Sequence, residues 1–500
     1  MMKNTLLLAL SSILMRFCAI CFQAYLASTI GAEQLGIFGI ITSVGAVFAT
    51  ISISGVRFST TRLVAEEISV GNEYPRNLMR CSFRYGAFCG ACAGIGLYFL
   101  SGIISRSYVG DIDASLPLRI MALSMPAISL GSCIEGYFTA KQKIFRLIAV
   151  QLFSQLVRIG FVLVVFGKFL ERGIYPADIL ASGTAMGEIV FALGMFVLYF
   201  SETLRKEKRK SSSKYFSRLF KTASPLAISA YMRTGLSSLG QVIIPSGLRK
   251  AGMTGASAFA SYGVISQMAM PVVLFPMALM GSLGDVLIPR LTEAQVGNKK
   301  LGISYIVNRA LRIGVMFSFG IMGVMLFFSE DLAMAIYKNA EAGKYIKIFA
   351  PLIPIIYVDC VTDGCLKGLG QQVHSMIYNV LEGIINVMLL FILLPKMALW
   401  GYVTVMYIKE AFNAVLSIRR LRKVSALDTG GEIVLATLIS MAGAWLFGTI
   451  LVKTSILSVR ISVYCLIYIT LLYIVNAVSR NDIKWMANLF SRQKNNSLQM

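Results

Sequence analysis

Residues 31–41 read GAEQLGIFGII and residues 255–265 read GASAFASYGVI, so one short pattern occurs once in each half of the chain. Glycine, alanine, an apolar residue, a small residue, an aromatic residue, glycine and two aliphatic residues recur in the same order. An Arg-Leu pair follows each copy, at residues 62–63 and 290–291. A duplicated pattern with nearly constant spacing predicts a fold built from two structural repeats.

Long apolar blocks surround both copies and fill nearly the whole chain. Of the 500 residues, 56% are hydrophobic and only 14% are charged, and the mean hydropathy is +0.72. A soluble chain of this length needs far more polar surface, whereas one membrane crossing needs about 20 mostly apolar residues. A window of about 19 residues therefore predicts an all-α membrane protein with about fourteen transmembrane helices. The predicted spans are 4–30, 35–56, 78–104, 115–140, 145–168, 177–200, 223–248, 255–282, 303–328, 346–369, 374–394, 398–418, 431–452 and 457–479.

The net charge of +23 is unevenly distributed along the chain. Lysine and arginine cluster in alternate breaks between the apolar blocks, as the positive-inside rule requires for loops on the cytoplasmic side. An even number of crossings of the cell membrane then places both termini on its cytoplasmic side. Basic loops that face anionic membrane lipids explain the charge, so we expect no nucleic acid partner. The densest cluster contains Arg205, Lys206, Lys208, Arg209, Lys210, Lys214, Arg218 and Lys221.

The repeats and the basic breaks predict the domain organisation. We expect two pseudo-symmetric six-helix bundles, at residues 1–200 and 223–420, joined by a basic cytoplasmic linker at 201–222. Residues 431–479 form an additional helix pair, and residues 480–500 form a cytoplasmic tail. Both copies of the pattern begin a helix that runs inward, so the repeats are parallel. Parallel repeats enclose a central cavity in which alternating access operates by rocking.

Several polar residues lie within the predicted spans, where a charged group costs about 2.5–3.5 kcal/mol on insertion scales. Arg16 and Gln23 lie on the first helix, and Arg233 and Gln241 lie on the seventh, its counterpart in the second half. Arg158 lies on a polar stripe of the fifth helix. A guanidinium stays charged and presents a fork that suits phosphate oxygens. These residues therefore predict a cavity that binds an anionic cargo such as a pyrophosphate.

An alternative explanation applies to the same arginines. They can pair with acids such as Glu188 or cap helix carbonyl groups, in which case they stabilise the fold and contact no cargo.

Acidic residues occupy the later helices of the second half. Asp359, Asp363 and Lys367 recur at intervals of four on the tenth helix, so they share one face. Glu382 lies on the eleventh helix and Glu410 on the twelfth. These groups either bind a coupling proton or sodium ion or form ion pairs inside the bundle.

Enzymatic chemistry has no candidate residues in the sequence. Cys18-x-x-Cys21 and Cys89-x-x-Cys92 lie inside apolar spans, where cysteine behaves as a small hydrophobic residue. His374 is the single histidine and cannot form a metal site alone. We therefore expect a protein that is not an enzyme and that binds no metal or other cofactor.

Four segments in order resemble one family of membrane exporters. They are the first copy of the pattern and the segments SGVRFSTTRLVAEE (54–67), EGYFTAKQKI (135–144) and CLKGLGQ (365–371). Together they resemble the polysaccharide and lipid-linked oligosaccharide exporters of the multidrug/oligosaccharidyl-lipid/polysaccharide superfamily, with most similarity to the stage V sporulation protein B branch. The resemblance implies flipping of a polyprenyl-pyrophosphate-linked glycan between leaflets, with Arg16 and Arg233 lining the cavity. It also implies that the last two helices form a groove for the lipid tail.

The sequence is compatible with three functions. The leading hypothesis is a flippase for such a glycan in cell-wall, spore-cortex or surface polysaccharide synthesis. The second is a drug/cation antiporter of the same superfamily, which would favour central acids and aromatic residues without competing arginines. The third is a membrane scaffold of a wall-synthesis complex, which would not need buried arginines in both repeats.

Overall fold

A computed structural model of the protein describes residues 2–70, 75–106, 114–169, 175–203, 215–427, 431–451 and 456–478, together with Asp482 and Trp485, with side chains from residue 13 onward. Within these ranges all regular secondary structure is helical. Most of the predicted tail at 480–500 and half of the predicted linker at 201–222 lie outside the described residues.

The helices follow the predicted apolar blocks closely. They are α1 (Met2–Ile53), α2 (Val56–Ser69), α3 (Arg76–Ile104), α4 (Ser115–Ala140), α5 (Ile144–Phe169), α6 (Pro176–Thr203), α7 (Tyr215–Lys250), α8 (Gly255–Gly263), α9 (Met270–Leu274), α10 (Met277–Val296), α11 (Lys300–Phe327), α12 (Ser329–Tyr337), α13 (Ala340–Phe349), α14 (Ile353–Gly368), α15 (Gln372–Val424), α16 (Gly431–Leu451) and α17 (Leu457–Ile474). A π-helical segment, Val264–Ala269, joins α8 to α9, and a 3-10 turn, Ala350–Leu352, joins α13 to α14.

Two of these helices are long enough to cross a membrane twice. α1 has 52 residues and is kinked at Gly31, whose φ of 78° and ψ of 173° suit glycine. α15 has 53 residues and is kinked at Ala398, where φ is 48°. At 1.5 Å per residue each helix is about 78 Å long, more than twice the roughly 30 Å hydrocarbon core. The kinks therefore stand where the sequence predicts two short breaks between spans.

Eleven helices in the described part of the chain are long and apolar enough to cross a membrane. With two crossings each for α1 and α15, and with the more polar α7 included, the count agrees with the prediction of about fourteen. The protein is an all-α, multi-pass membrane protein, as predicted.

The predicted span 255–282 is wrong in its boundaries. The helix changes to π-helical geometry at Val264 and ends at Leu274, and α10 begins only after Pro276. Proline lacks an amide hydrogen and its ring clashes with the preceding turn, so Pro276 separates two helices. α10 then continues to Val296, through residues that the sequence assigned to a polar break.

By packing, the chain divides into two compact units. The first packing unit contains residues 30–263, and the second contains residues 1–29 with 264–500. α7 and α8 thus pack with the first half of the chain, while the first part of α1 packs with the second half. The predicted bundles, 1–200 and 223–420, are defined by the sequence repeats and not by packing. They therefore remain a prediction.

The core of the first packing unit combines aromatic residues with closely approaching helices. Buried side chains include Tyr137 of α4 and Met195 of α6. A Cβ atom at Gly90 of α3 would lie 2.8 Å from the Cα atom of Pro126 in α4. Glycine therefore allows α3 and α4 to pack backbone against backbone.

Candidate functional site: charged and polar residues of the helices

Arg16 projects from the first part of α1 within the second packing unit. Its side chain is exposed, and it makes no hydrogen bond or ion pair with any described residue. Its guanidinium lies near the buried side chain of Tyr357 in α14. The Tyr357 hydroxyl itself donates to the carbonyl oxygen of Val273 at 2.7 Å. The guanidinium of Arg16 is therefore available to a ligand.

Arg233 has the same character in the first packing unit. It lies on α7, its side chain is exposed, and it has no hydrogen-bond or ion-pair partner in the described part of the chain. Its neighbours Tyr231 and Thr234 do have partners, because they hydrogen-bond to Ser54 and Thr50 of the α1–α2 region. Arg233 is therefore an unpaired guanidinium beside residues that hold α7 in place.

The two arginines lie at similar depths along their own helices. Arg16 precedes the kink at Gly31 by fifteen residues, and Arg233 precedes the end of α7 at Lys250 by seventeen. At 1.5 Å per residue these intervals correspond to about 22 Å and about 26 Å. Each guanidinium thus lies more than half a bilayer core away from that end of its helix.

The two glutamines of the predicted cavity have partners within their units. Gln23 donates its amide hydrogen to Oε1 of Gln267 at 2.8 Å, in the second packing unit. Tyr262 donates its hydroxyl hydrogen to Oε1 of Gln241 at 3.0 Å, in the first. Both glutamines therefore fix local helix packing, whatever else they contact.

Arg158 has an acidic neighbour, as the alternative explanation of the arginines predicts. Its partly buried guanidinium lies close to the carboxylate of Glu188 in α6. Its aliphatic part packs on Gly187, where a Cβ atom would lie 3.1 Å from that of Arg158. An opposite charge compensates this arginine inside the first packing unit.

The predicted acids Glu382 and Glu410 share one lysine in the second packing unit. Lys409 Nζ donates to Glu382 Oε1 at 3.1 Å and to Glu410 Oε1 at 2.7 Å. All three side chains are less than a fifth exposed. Two carboxylates on one ammonium leave a net negative charge in this cluster.

Asp359 lies next to that cluster and is incompletely paired. Asn413 Nδ2 donates to Asp359 Oδ2 at 2.9 Å and to Asn379 Oδ1 at 3.4 Å. Asp359 Oδ1 and Asn413 Oδ1 are buried, and neither has a hydrogen-bond partner among the described residues. Buried oxygen acceptors without a donor are unfavourable, so this pair can take a proton or a small cation.

Asp363 forms an ion pair with Lys367, one turn further along α14, at 2.6 Å, and also accepts a hydrogen bond from Ser375. A further acid, Asp285 of α10, lies near Lys367. Asp285 is exposed, but partial desolvation still raises the pKa of its carboxyl, and the charge of Lys367 partly opposes this shift. The sequence does not predict Asp285 as a site residue, because residues 283–302 fall in a predicted break between spans.

A second missed feature is the ion pair between Arg57 of α2 and Glu135 of α4, at 2.9 Å. Arg57 and Glu135 each lie 228 positions before Asp285 and Asp363, which is also the interval between the two Arg-Leu pairs. Equivalent positions of the repeats thus carry a neutral ion pair in one copy and two acids in the other. Aligning the repeats at this interval would have revealed these four positions.

The duplicated pattern itself marks a very close helix crossing. In the first packing unit, α1 crosses α8 at Gly36 and Gly263. A Cβ atom at Gly36 would overlap the carbonyl oxygen of Phe259, and one at Gly263 would overlap that of Ala32. The glycines of the pattern are therefore required for backbone contact between equivalent helices of the two repeats.

The fold is shared with solved membrane transporters. The chain is similar to the lipid II flippase MurJ in an inward closed conformation, with a TM-score of 0.71 and 14% sequence identity. The alignment covers 94% of this chain and 98% of that chain. With its many apolar helices, the protein thus has the architecture of a multi-pass membrane transporter.

Residues 1–295 match the family described as polysaccharide biosynthesis protein, and residues 249–392 match the family described as MatE. The chain belongs to the polysaccharide biosynthesis protein family, within the multidrug/oligosaccharidyl-lipid/polysaccharide superfamily. This confirms the resemblance drawn from the sequence.

Two relatives from Bacillus subtilis (strain 168) are similar over most of the chain. Stage V sporulation protein B is 24% identical over 407 residues, covering 80% of this chain and 78% of the relative. Lipid II flippase MurJ is 21% identical over 433 residues, covering 78% of this chain and 76% of the relative.

Proposed function

We propose that the protein is a flippase that moves a polyprenyl-pyrophosphate-linked glycan across the cell membrane by alternating access. The observation that carries this proposal is the pair of exposed guanidinium groups, Arg16 and Arg233, each without an ion-pair partner among the described residues. An unpaired arginine in a membrane helix is costly and is therefore a functional candidate. Its planar fork suits the oxygens of a pyrophosphate better than it suits a cationic drug.

The contrast with Arg158 supports this assignment. Arg158 has Glu188 as a neighbouring counter-charge, as expected for an arginine that stabilises the fold. Arg16 and Arg233 have no such neighbour in the described part of the chain, and each repeat supplies one of them. A relative named as a lipid II flippase supports a lipid-linked cargo.

We also propose that Asp359 and Asn413 bind the coupling proton or sodium ion. Their two unpaired oxygens lie beside a cluster with excess negative charge, which favours a cation over an anion. The ion pairs of Lys409 and Lys367 supply the structural part of this acidic region.

For the membrane orientation we propose cytoplasmic termini and a basic surface that contacts anionic lipids. Three cations around the α4–α5 turn share the single buried carboxylate of Glu202. Lys141 and Lys143 lie 2.8 and 2.7 Å from its oxygens, and Arg146 lies 2.9 Å away. The surplus of positive charge suits the anionic cytoplasmic leaflet.

Depletion of the protein, followed by analysis of lipid-linked precursors in the membrane, tests the function. We expect a polyprenyl-pyrophosphate glycan to accumulate on the inner leaflet and re-expression of the wild-type chain to reverse this. Unchanged precursors in depleted cells would contradict the proposal.

A multidrug/cation antiporter is the second candidate, because the MatE family matches residues 249–392 and the acids Asp359, Asp363 and Glu382 lie in that segment. Unchanged lipid-linked precursors together with increased sensitivity to cationic drugs would favour it. A scaffold would instead remain functional when both unpaired arginines are neutralised.

A further inference from the structure

One face of α11 contacts both ends of the appended helix pair, α16 and α17. The contacting positions are spaced by three or four residues, so they form a single stripe along the helix. The stripe, hereafter the docking stripe, consists of Ser304, Asn308, Arg312, Met316, Gly320 and Gly323.

The first residues of the docking stripe hold the chain before it enters α16. Asn308 Nδ2 donates to the carbonyl oxygen of Ala426 at 3.0 Å, and the amide of Ala426 donates to Ser304 Oγ at 3.2 Å. Both backbone groups of Ala426 are therefore paired with α11 side chains.

Arginines of α11 hold the chain after it leaves α17. Arg312 donates from Nε and Nη2 to the carbonyl oxygen of Ala477, at 2.9 and 2.6 Å, and from Nη2 to that of Asn476 at 3.1 Å. Carbonyl groups that follow a helix end lack partners within the helix, so a guanidinium is a suitable cap. Arg309 Nη2 lies 2.8 Å from Asp482 Oδ1, and its guanidinium carbon lies 5.7 Å from the Trp485 ring centre.

The middle of α17 packs on the same stripe. Tyr468 donates its hydroxyl hydrogen to the carbonyl oxygen of Met316 at 2.7 Å. Its ring covers Gly320, where a Cβ atom would lie 2.8 Å from a ring carbon, and the ring of Tyr464 covers Gly323. At the opposite end of α17, Arg460 Nη1 pairs with Asp331 Oδ2 of α12 at 2.8 Å.

We propose that Arg309 and Arg312 are positioning residues that hold α16, α17 and the segment after α17 as a fixed extension of α11. Hydrogen bonds or ion pairs fasten both ends of α17, and tyrosines packed on glycines fill the space between. The pair should therefore move with α11 during transport and should not hinge independently. The consequence for transport rests on the proposed function, whereas the fastening itself does not.

Hydrogen–deuterium exchange of the purified full chain in lipid nanodiscs tests the fastening directly. Backbone amides between residues 472 and 478 should exchange at least tenfold faster in Arg309→Gln/Arg312→Gln than in wild type. Exchange in α14 should be unchanged, which shows that the unit remains folded. Lys300→Gln is the matched control, because Lys300 is exposed on the same helix and outside the docking stripe.

A charge exchange between two positions separates a specific pair from a general loss of stability. Arg309→Asp and Asp482→Arg should each increase exchange, and the two together should restore slow exchange. A wild-type rate of hydrogen–deuterium exchange in Arg309→Gln/Arg312→Gln would overturn the proposal. So would fast hydrogen–deuterium exchange in the double variant Arg309→Asp/Asp482→Arg.

The same variants are then assayed for export. Faster exchange with unchanged export would overturn the positioning role in transport. Absence of export by the wild-type chain would instead contradict the proposed function and leave the exchange result standing.

Discussion

Asn413 donates a hydrogen bond to Asp359 at 2.9 Å, while one side-chain oxygen of each residue is buried without a partner in the described part of the chain. Each of these buried acceptors could be satisfied by a donor or by a cation. In the proposed coupling role, a proton on Asp359 would supply a donor, and a sodium ion would supply a cation.

Asp359→Asn should therefore abolish the dependence of transport on a proton or sodium gradient. An amide cannot carry the proton, and it lacks the negative charge that attracts a metal ion. Export by cells or vesicles is measured with and without each gradient. Glu330→Gln is the control, because Glu330 is exposed on α12. Wild-type export by both Asp359→Asn and Asp363→Asn would dismiss the coupling role.

Lys409→Met should destabilise the protein strongly. It removes the only ammonium that hydrogen-bonds Glu382 and Glu410 within the described residues and leaves two buried carboxylates without compensation. Breaking a buried ion pair from one side costs about 3–5 kcal/mol. The measurement is thermal unfolding in detergent. Adding Glu382→Gln and Glu410→Gln to Lys409→Met should recover most of the lost thermal stability. No recovery would show that lost packing, and not uncompensated charge, destabilises Lys409→Met.

Gly36→Ala and Gly263→Ala should each prevent close contact between α1 and α8. The new methyl groups would overlap backbone carbonyl oxygens, which cannot turn aside as a flexible side chain can. Overpacking of this kind costs about 1–3 kcal/mol. Thermal unfolding and export are measured against Gly255→Ala, which meets open space on the same helix. Equal behaviour of the three variants would show that the crossing is unimportant.

Asp285 should make stability depend on pH. Its side chain is exposed, yet partial desolvation raises the pKa of its carboxyl above the ordinary value, so the folded state weakly prefers the protonated form. Its stabilising contribution is complete below the unfolded pKa and is lost as the pH rises through the folded pKa. Because solvent screens an exposed carboxylate, Asp285→Asn should raise the thermal midpoint only slightly at neutral pH and leave it nearly unchanged in acid. A larger effect in acid than at neutral pH would reverse this assignment.

The sequence predicts the spans well because hydrophobic length alone determines most of them. Gly31 stands at the predicted break in α1, and α4 has the predicted limits. The prediction fails where a helix is too polar or too short to register as a span. α2 contains Arg57, Arg62 and Glu66 and therefore falls in a predicted break, although its apolar face packs against α4 and α7.

The candidate site was predictable as a set of residues but not as a set of contacts. Arg16, Arg158 and Arg233 look alike in sequence, and only the structure shows that Arg158 has Glu188 beside it while the other two lack an opposite charge among the described residues. Which arginines have a partner depends on packing between helices far apart in the chain. Helical periodicity within one segment cannot supply that information.

The double variant Arg16→Gln/Arg233→Gln tests the central claim most directly. Export of the lipid-linked glycan is measured in cells depleted of the wild-type chain, alongside the amount of variant protein in the membrane. We predict normal membrane insertion and loss of export, because the proposed pyrophosphate ligand of each repeat has been removed. Full export by the double variant would contradict the account.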